Sequence, residues 1–299
     1  MANVAAPFME IVALDGDDTT AHRRELFRET ARQRLTRWVL GVAYACQPKR
    51  VRDVPFLLWH AAADMAGGGT REPGKATLRA RPEGFAGVAR DVTPERVLAA
   101  ARKGYFPWSH CGPLKWWTRD NRMVVDPAQY RLSKDARRII RKGTYRVTFD
   151  EAFDEVIKAC AAPRKGRAAG LTWITPKIMQ LYAALHDEGL AHSFEVWDAE
   201  GELVGGGYGL AVGRIFYTES QFSRSSNTSK IGFGYLNHHL AKWGFVLNDG
   251  KDFTPTLKEM GFGLIPRAEF EAVLAEHAGA ETSAPAGKWH VEDDLGAAK

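Results

Sequence analysis

The spacing of apolar residues changes partway along the chain, and this change restricts the possible folds more than any other feature of the sequence. From Ser193 onward the period becomes two, notably around 203–204 and 215–217, as in half-buried strands. Helical spacing returns over 229–245 and 266–278. A run of hairpin-type strands with helices on either side predicts an α+β fold rather than regular βα repeats.

Capping residues indicate where other elements begin. Thr93 and Pro94 begin a helix that extends to about residue 103, because threonine is a good N-cap and proline suits the first turn. Ser133 caps a helix over 134–142 in the same way. The remaining expected elements are a strand at 145–149 and helices within 21–46, 55–65, 151–161 and 176–188.

Length and composition favour a globular protein of about two domains. The chain has 299 residues, of which 45% are apolar and 26% are charged, so intrinsic disorder and fibrous structures are excluded for its body. Residues 1–80 are expected to form a separate helical extension that ends in a glycine-rich linker at 67–74. Residues 281–299 are expected to form a loose polar tail.

The cysteines and the apolar runs bear on the compartment. Cys46, Cys111 and Cys160 are too widely spaced for a disulfide framework or a zinc motif. The longest apolar run, 38–46, is far shorter than the roughly 20 residues of a membrane span, and the first residues do not resemble a signal peptide. We therefore expect a soluble cytoplasmic protein without a membrane partner.

One predicted helix concentrates the basic residues of the chain. The window 131–146 holds seven basic residues and one acidic residue, a net charge of +6, against +5 for the whole chain. Helical spacing places most of these residues on one face, which could follow a phosphate backbone or could simply be solvated. The basic residues of this helix are Lys134, Arg137, Arg138, Arg141 and Lys142.

Four tryptophans lie in segments that are expected to be loops. Trp108 and Trp173 could provide stacking platforms for unpaired bases. For Trp116 and Trp117, packing in a core is the favoured interpretation. No coenzyme A or phosphate-loop motif accompanies them, and the pair His238–His239 lacks further ligands at metal spacing.

Together, several ordered motifs between about 84 and 275 resemble the leucyl/phenylalanyl-tRNA–protein transferase family. The first is Asp91-Val-Thr-Pro-Glu-Arg96, followed by Gly104-Tyr-Phe-Pro-Trp108 and Trp116-Trp117. The later motifs that fit in order include Thr172-Trp-Ile-Thr-Pro176, His192-Ser-Phe-Glu195, Gly205-Gly206, Tyr208-Gly209, Glu219-Ser220, Phe222-Ser223-Arg224 and Trp243-Gly-Phe245.

The resemblance implies a reaction, a fold and a set of partners. The family transfers an amino acid from the 3′ end of an aminoacyl-tRNA to the α-amine of a protein that begins with Arg or Lys, which marks that protein for degradation. Aminoacyl-tRNA is the co-substrate, and no cofactor or metal is implied. The implied domains are a small N-terminal domain at 81–130 and a GNAT-like catalytic domain at 131–280.

The resemblance also assigns site residues. Trp108 and Trp173 match tryptophans that hold the terminal adenosine, and the 134–142 helix matches a basic segment that contacts tRNA. Glu219 and Asp249 match acidic residues of the active site. The amino-acid pocket is assigned to Gly207, Phe216, Gln221, Phe233, Leu240 and Asn248.

The sequence departs from the family at the active site. The family's Asp-Cys-Gln motif is Asp249-Gly250-Lys251 here. Lys251 could repel a cationic acceptor, could act as a base if desolvated, or could point to water. A small-molecule amine is therefore a possible acceptor besides a protein N-terminus, and an idle binding protein is a further alternative.

The pocket departs from the family as well. Gly207 and Gln221 replace methionines, and Asn248 replaces an apolar residue. These changes predict a roomier, more polar pocket and a donor that is larger than Leu or Phe or forms hydrogen bonds, since unpaired buried amides are costly.

Overall fold

Two β-sheets, with helices packed around them, make up the computed structural model, which describes residues 16–163 and 171–296. None of the described helices is long and apolar enough to cross a membrane. The helices are α1 Gly16–Leu26, α2 Ala31–Ala45, α3 Val54–Ala66, α4 Pro94–Ala101, α5 Lys134–Arg141, α6 Phe153–Ala161, α7 Pro176–Asp187, α8 Thr228–Lys242, α9 Pro255–Glu259 and α10 Arg267–His277. The strands are β1 Phe85–Val88, β2 Phe106–Trp108, β3 Lys115–Trp117, β4 Asn121–Val125, β5 Arg146–Phe149, β6 Ala191–Trp197, β7 Leu203–Val212, β8 Ile215–Ser223, β9 Leu247–Asp249 and β10 Gly263–Pro266.

The larger sheet has seven strands in the order β10-β4-β9-β8-β7-β6-β5. All neighbours are antiparallel except β8 and β9, which are parallel and are connected through α8. Helix α8 packs on one face of this sheet, and α6 and α7 pack on the other. The expected α+β fold is therefore confirmed, and the predicted helices at 94–103, 134–142 and 176–188 occur within two residues of their expected ends.

The smaller sheet, with the order β1-β3-β2, contains three of the tryptophans that were expected in loops. Trp116 and Trp117 lie on β3 with exposed fractions of 0% and 8%, so their packing interpretation is confirmed. Trp108 ends β2 and is only half-buried. The expectation of loops was wrong because strands of three residues are too short to show an alternating pattern.

Strand β4 belongs to the larger sheet although it precedes residue 130. Val124 pairs with Asp249 on β9, and Met123 pairs with Leu264 on β10. The larger sheet therefore includes a strand from the segment 81–130, which was expected to form the small domain.

The N-terminal extension packs against the rest of the chain instead of standing apart. Arg23 on α1 forms ion pairs with Asp154, at 2.7 Å, and with Asp187, at 2.5 Å. On α3, Asp64 accepts a hydrogen bond of 2.7 Å from the backbone N–H of Val88. Phe27, which follows α1, is 1% exposed and packs in the main core. The extension is therefore joined to the rest of the chain by this side chain, by the ion pairs of Arg23 and by the hydrogen bond of Asp64.

The C-terminal tail is anchored over its described part, residues 281–296. Trp289 is 2% exposed, stacks on the His192 ring at 3.5 Å between centroids, and donates its backbone N–H to Asp150 at 2.8 Å. Lys242 forms ion pairs of 3.0 Å with Glu292 and Asp293. The expected loose tail was wrong because one large aromatic side chain supplies enough burial to fix a polar segment.

Candidate active site

A β-bulge places Glu219 in the interior of the molecule. On β7, Tyr208 pairs with Ser220 and Gly209 pairs with Thr218, which leaves Glu219 as the extra residue of β8. Bulges of this kind redirect a side chain and occur often beside active sites. The Glu219 side chain is only 3% exposed.

Two groups converge on the Glu219 carboxylate. The Lys251 ammonium forms an ion pair with it. Burial and the neighbouring Glu219 charge raise the pKa of the Tyr182 phenol well above its ordinary value, so this hydroxyl stays protonated near the carboxylate. The carboxylate therefore has both an ammonium and a phenol beside it.

The backbone at Lys251 turns its side chain inward. Its φ of 64° is left-handed, a conformation that non-glycine residues rarely adopt, and its N–H donates to the Asp249 carboxylate at 2.8 Å. The ammonium also lies 5.2 Å from the centroid of the Phe106 ring. Because Lys251 is only 9% exposed, the interpretation that it points to water is wrong.

Asp249 is held in a buried ion pair with Arg122, and both residues are 0% exposed. Arg122 donates its Nε to Asp249 at 3.3 Å and its Nη1 to the carbonyl of Gly104 at 2.9 Å. Its guanidinium lies 4.4 Å from the Phe270 ring centroid. Asp249 is therefore closed to a substrate in this conformation, and besides Arg122 its carboxylate contacts the backbone N–H of Lys251.

Sequence reasoning missed Arg122. The one signal was an arginine beside the apolar run Met123–Val125, in a segment that was not recognised as a strand. A charge on a buried strand requires a partner, and Asp249 on the adjacent strand β9 supplies it.

The two tryptophans assigned to the adenosine occupy different surroundings. Trp108 packs with the small sheet, and Trp173 packs against the main core in the segment before α7. In the part of the chain that the structure describes, no ring contact joins them. Phe106, which contacts Lys251, and Trp108 are two residues apart on β2. Trp108 therefore lies about 6.6 Å along the strand from Phe106.

The assigned pocket residues lie mostly in a packed core. Phe216, Phe233 and Leu240 are at most 1% exposed and belong to one hydrophobic cluster with Phe194. A Cβ added at Gly207 would lie 2.7 Å from the Phe194 ring, so that ring already fills the space beside the glycine. The expectation that Gly207 enlarges the pocket is therefore wrong.

Asn248 is not available to a donor side chain. It is 0% exposed, accepts a hydrogen bond from Thr218 at 2.7 Å and donates one to Asn237 at 3.0 Å. The expectation of an unpaired amide at this position was wrong. Gln221 pairs with Gly207 across β7 and β8 and is partly exposed. Of the two polar departures from the family, Asn248 and Gln221, it is the one that could face a ligand.

The basic helix is α5, and its five assigned basic residues are all exposed. Ser133 caps it by accepting a hydrogen bond of 3.2 Å from the N–H of Ala136. Ala136 and Ile140 are buried on the opposite face, beside α8. The helix is therefore fixed by its apolar face and presents its charges outward.

Comparison with known proteins gives a consistent result along the sequence. The chain matches the model of the leucyl/phenylalanyl-tRNA protein transferase over residues 124–275 and the model of that protein's N-terminal domain over 90–120. It is 47% identical over 206 residues to a leucyl/phenylalanyl-tRNA–protein transferase of Stutzerimonas stutzeri, covering 69% of this chain and 90% of that protein. A protein of the same name from Cellvibrio japonicus is 45% identical over 194 residues, which is 64% of this chain and 81% of the relative.

Likeness to solved structures is weaker. The structure of L-PGS from Bacillus licheniformis matches with a TM-score of 0.31 and 14% identity, over 49% of this chain and 46% of that chain. The crystal structure of FemX matches with a TM-score of 0.38 and 11% identity, over 52% of this chain and 64% of that chain.

Proposed function

Because the chain belongs to the leucyl/phenylalanyl-tRNA–protein transferase family and is therefore an aminoacyl-tRNA-dependent aminoacyltransferase, we propose that it transfers leucine or phenylalanine to the N-terminal amine of a protein at a site formed by Glu219 and Lys251. The observation that carries this proposal is the buried ion pair between these two side chains, beside the strand that bears Trp108.

The reaction requires one proton to move from the attacking amine to the leaving oxygen. The acceptor nitrogen forms a bond to the ester carbonyl carbon, the bond from this carbon to the ribose 3′-oxygen breaks, and no energy source is needed because an ester becomes an amide. Glu219 accepts the proton of the amine, Lys251 protonates the 3′-oxygen, and the pair then exchanges a proton to return to its starting state.

Lys251 has a second effect on the transition state. An ammonium at about 4 Å stabilises the developing oxyanion by about 4 kcal/mol at an effective dielectric near 20, which corresponds to about a thousandfold in rate. Glu219 neutralises this cation in the resting enzyme. The expected repulsion of an acceptor that begins with Arg or Lys is thereby reduced.

Asp249 acts as a positioning residue. Its carboxylate fixes the left-handed backbone of Lys251 while Arg122 neutralises its charge. This arrangement supports a lysine in place of the family's glutamine, because the side chain is aimed at Glu219 by the backbone itself.

The donor amino acid is apolar in this proposal. Two of the three changes that suggested a larger or hydrogen-bonding donor have lost their support, since Phe194 fills the space at Gly207 and Asn248 is paired internally. The side chain of the donor binds at the partly exposed Gln221, outside the packed cluster that contains Phe216, Phe233 and Leu240.

The tRNA binds along α5 and places its terminal adenosine at Trp108 and Trp173. The exposed charges of Lys134, Arg137, Arg138, Arg141 and Lys142 support this assignment, because phosphate contacts supply most of the affinity for nucleic acids. No cofactor is required in this proposal, and the charged tRNA places the reaction in the cytoplasm.

Two domains carry these parts. We assign residues 81–120 to the small domain and 121–280 to a GNAT-like catalytic domain. The mixed sheet, with its parallel pair β8/β9 connected through α8, supports this division.

Transfer of labelled amino acids tests the proposal. Leucine or phenylalanine from charged tRNA should appear on a peptide that begins with Arg or Lys. Transfer only to a small amine would favour the small-molecule alternative, and binding of tRNA without any transfer would favour the idle one; either result contradicts the proposal.

Substitution of the two platforms tests the adenosine site. Trp108→Ala and Trp173→Ala should each weaken binding of an aminoacyl-adenosine analogue by about 1–3 kcal/mol, as for the loss of a stacking ring. Trp59→Ala, at a tryptophan that is 73% exposed on α3, is the matched control.

A further inference from the structure

We infer that the N-terminal extension forms part of the donor site, in which Arg50 and Tyr44 bind the single-stranded nucleotides that precede the terminal adenosine of the tRNA. This inference rests on the proposed function. It assigns a ligand class, unpaired RNA, to residues that lie outside both matched segments, which begin at residue 90.

Helix α2 packs directly on the loop that follows Trp108. The Tyr44 ring lies 6.4 Å from the Trp108 ring and 4.8 Å from the His110 ring, between centroids. Trp108 and His110 are themselves 4.6 Å apart in an edge-on contact. The extension therefore places an aromatic ring next to the platform that is assigned to the adenosine.

Two further contacts fix this helix against the loop. Arg37 donates to the carbonyl of His110 at 3.1 Å, and Glu29 holds Arg37 at 2.9 Å. At Gly41 an added Cβ would lie 3.0 Å from the Cβ of Cys111, so the helix approaches the loop as closely as a glycine allows. The position of Tyr44 relative to Trp108 is thus set by packing on both sides.

The loop is also fixed from within. The Lys115 ammonium, which is buried, donates to the carbonyls of Cys111 and Pro113 at 3.2 and 2.8 Å and to the Ser109 hydroxyl at 3.1 Å. Binding unpaired RNA to a preformed platform avoids the cost of ordering the loop.

Arg50 provides the outer layer of the platform. Its guanidinium lies 4.1 Å from the Tyr44 ring centroid, and the residue is exposed. In the described part of the chain no carboxylate pairs with it, whereas Arg23 and Arg37 are both paired. A guanidinium plane that is stacked on an aromatic ring and has no counter-charge can stack a base or bind a phosphate.

The charge of the extension fits this ligand. Residues 23–52 hold nine basic and two acidic residues, a net charge of +7, which exceeds that of the α5 window. Lys49 lies in the turn that follows α2, Arg52 lies in a short 3-10 helix directly after Arg50, and both are exposed. A polyanion that reaches Trp108 from this side therefore meets a concentration of positive charge.

Three donor analogues of increasing length test the inference. They are a stable 3′-aminoacylamino adenosine, the same group on a CCA trinucleotide, and the same group on a full tRNA. Arg50→Gln should weaken binding of the trinucleotide and the tRNA about tenfold, lower the salt slope by about 0.7, and change the adenosine affinity by less than about twofold.

Controls separate this result from a general effect. Lys288→Gln removes one charge from an exposed residue outside the extension and should change none of the three affinities. Tyr44→Leu should weaken the trinucleotide and the tRNA but not the adenosine, and it should leave the salt slope unchanged because it removes a stacking ring and no charge. Unfolding of both variants should be checked. Equal weakening of all three analogues, or no weakening, overturns the inference.

Failure of the inference differs from failure of the proposed function. If Trp108→Ala weakens binding of the adenosine analogue while Arg50→Gln changes no affinity, the extension is not part of the donor site, but the assignment of Trp108 to that site stands. If Trp108→Ala has no effect on any analogue, the assignment of the donor site itself is wrong.

Discussion

Lys251 and Glu219 form an ion pair in the interior of the molecule although 32 residues separate them in the chain. A bulge in β8 and a left-handed residue after β9 bring the two side chains together. The bulge lies on β8 and the left-handed residue follows β9, its parallel neighbour, so the pair depends on the sheet and not on either segment alone.

Breaking this pair should affect stability and catalysis differently. Lys251→Met leaves the Glu219 carboxylate without its cation and should lower the free energy of unfolding by about 3–5 kcal/mol. Because the proton transfer is lost, kcat should fall by about 100-fold to 10 000-fold. The double variant Lys251→Met/Glu219→Gln should recover most of the stability without recovering kcat. Recovery of activity in the double variant would contradict the assigned roles.

The pair of Arg122 and Asp249 should behave as a structural unit. Arg122→Met leaves the fully buried Asp249 carboxylate without a cation. It should lower the free energy of unfolding, measured with urea, by about 3–5 kcal/mol. Adding Asp249→Asn removes that charge and should restore much of the loss, because the amide oxygen can still accept from the Lys251 N–H. If the loss of stability in the double variant equals the sum of the losses in the two single variants, the residues do not interact.

Charge removal from α5 should change the salt dependence of tRNA binding. Arg137→Ala with Arg138→Ala removes two phosphate contacts and should reduce the slope of log K against log salt by about 1.8. The control pair, Arg79→Ala with Lys288→Ala, removes two exposed charges elsewhere and should leave the slope unchanged. The measurement is a salt titration of tRNA affinity, and an equal slope in both double variants would argue against α5 as the tRNA surface.

Anchoring of the C-terminal tail should be visible in stability. Trp289→Ala removes a side chain that stacks on His192 and lies 4.8 Å from the Trp243 ring, and should cost about 3–5 kcal/mol. His290→Ala, at the exposed neighbouring position, should cost little. If the two variants unfold at the same denaturant concentration, the tail does not contribute to the core.

Glu195 should make stability depend on pH. Burial raises the pKa of this carboxyl from 4.5 to about 7, although hydrogen bonds from Ser193 and Thr148 oppose the shift. The folded protein therefore holds a proton that the unfolded chain releases, and its stability falls as pH rises between about 4.5 and 7. Glu195→Gln should remove this dependence, which is on the order of 3 kcal/mol, whereas Glu155→Gln at an exposed position should retain it. Unfolding curves at pH 5 and pH 8 measure the difference.

The sequence by itself determined the family, the α+β class and most helices. Capping residues such as Thr93 and Ser133 are local signals, and the basic face of α5 follows from helical spacing alone. The motif that contains Glu219 and the motif that contains Asp249 are each a short continuous segment. These features were predictable because each depends on residues that are close together in the chain.

Only the tertiary structure decided what surrounds the site. The internal pairing of Asn248 with Thr218, the filling of space at Gly207 by Phe194, and the burial of Trp289 all depend on residues from distant segments. Whether Lys251 faces water or Glu219 could not be read from its neighbours, because strand pairing sets which side chains meet. Burial and charge compensation are properties of these long-range contacts, so they appear only when the sheet is assembled.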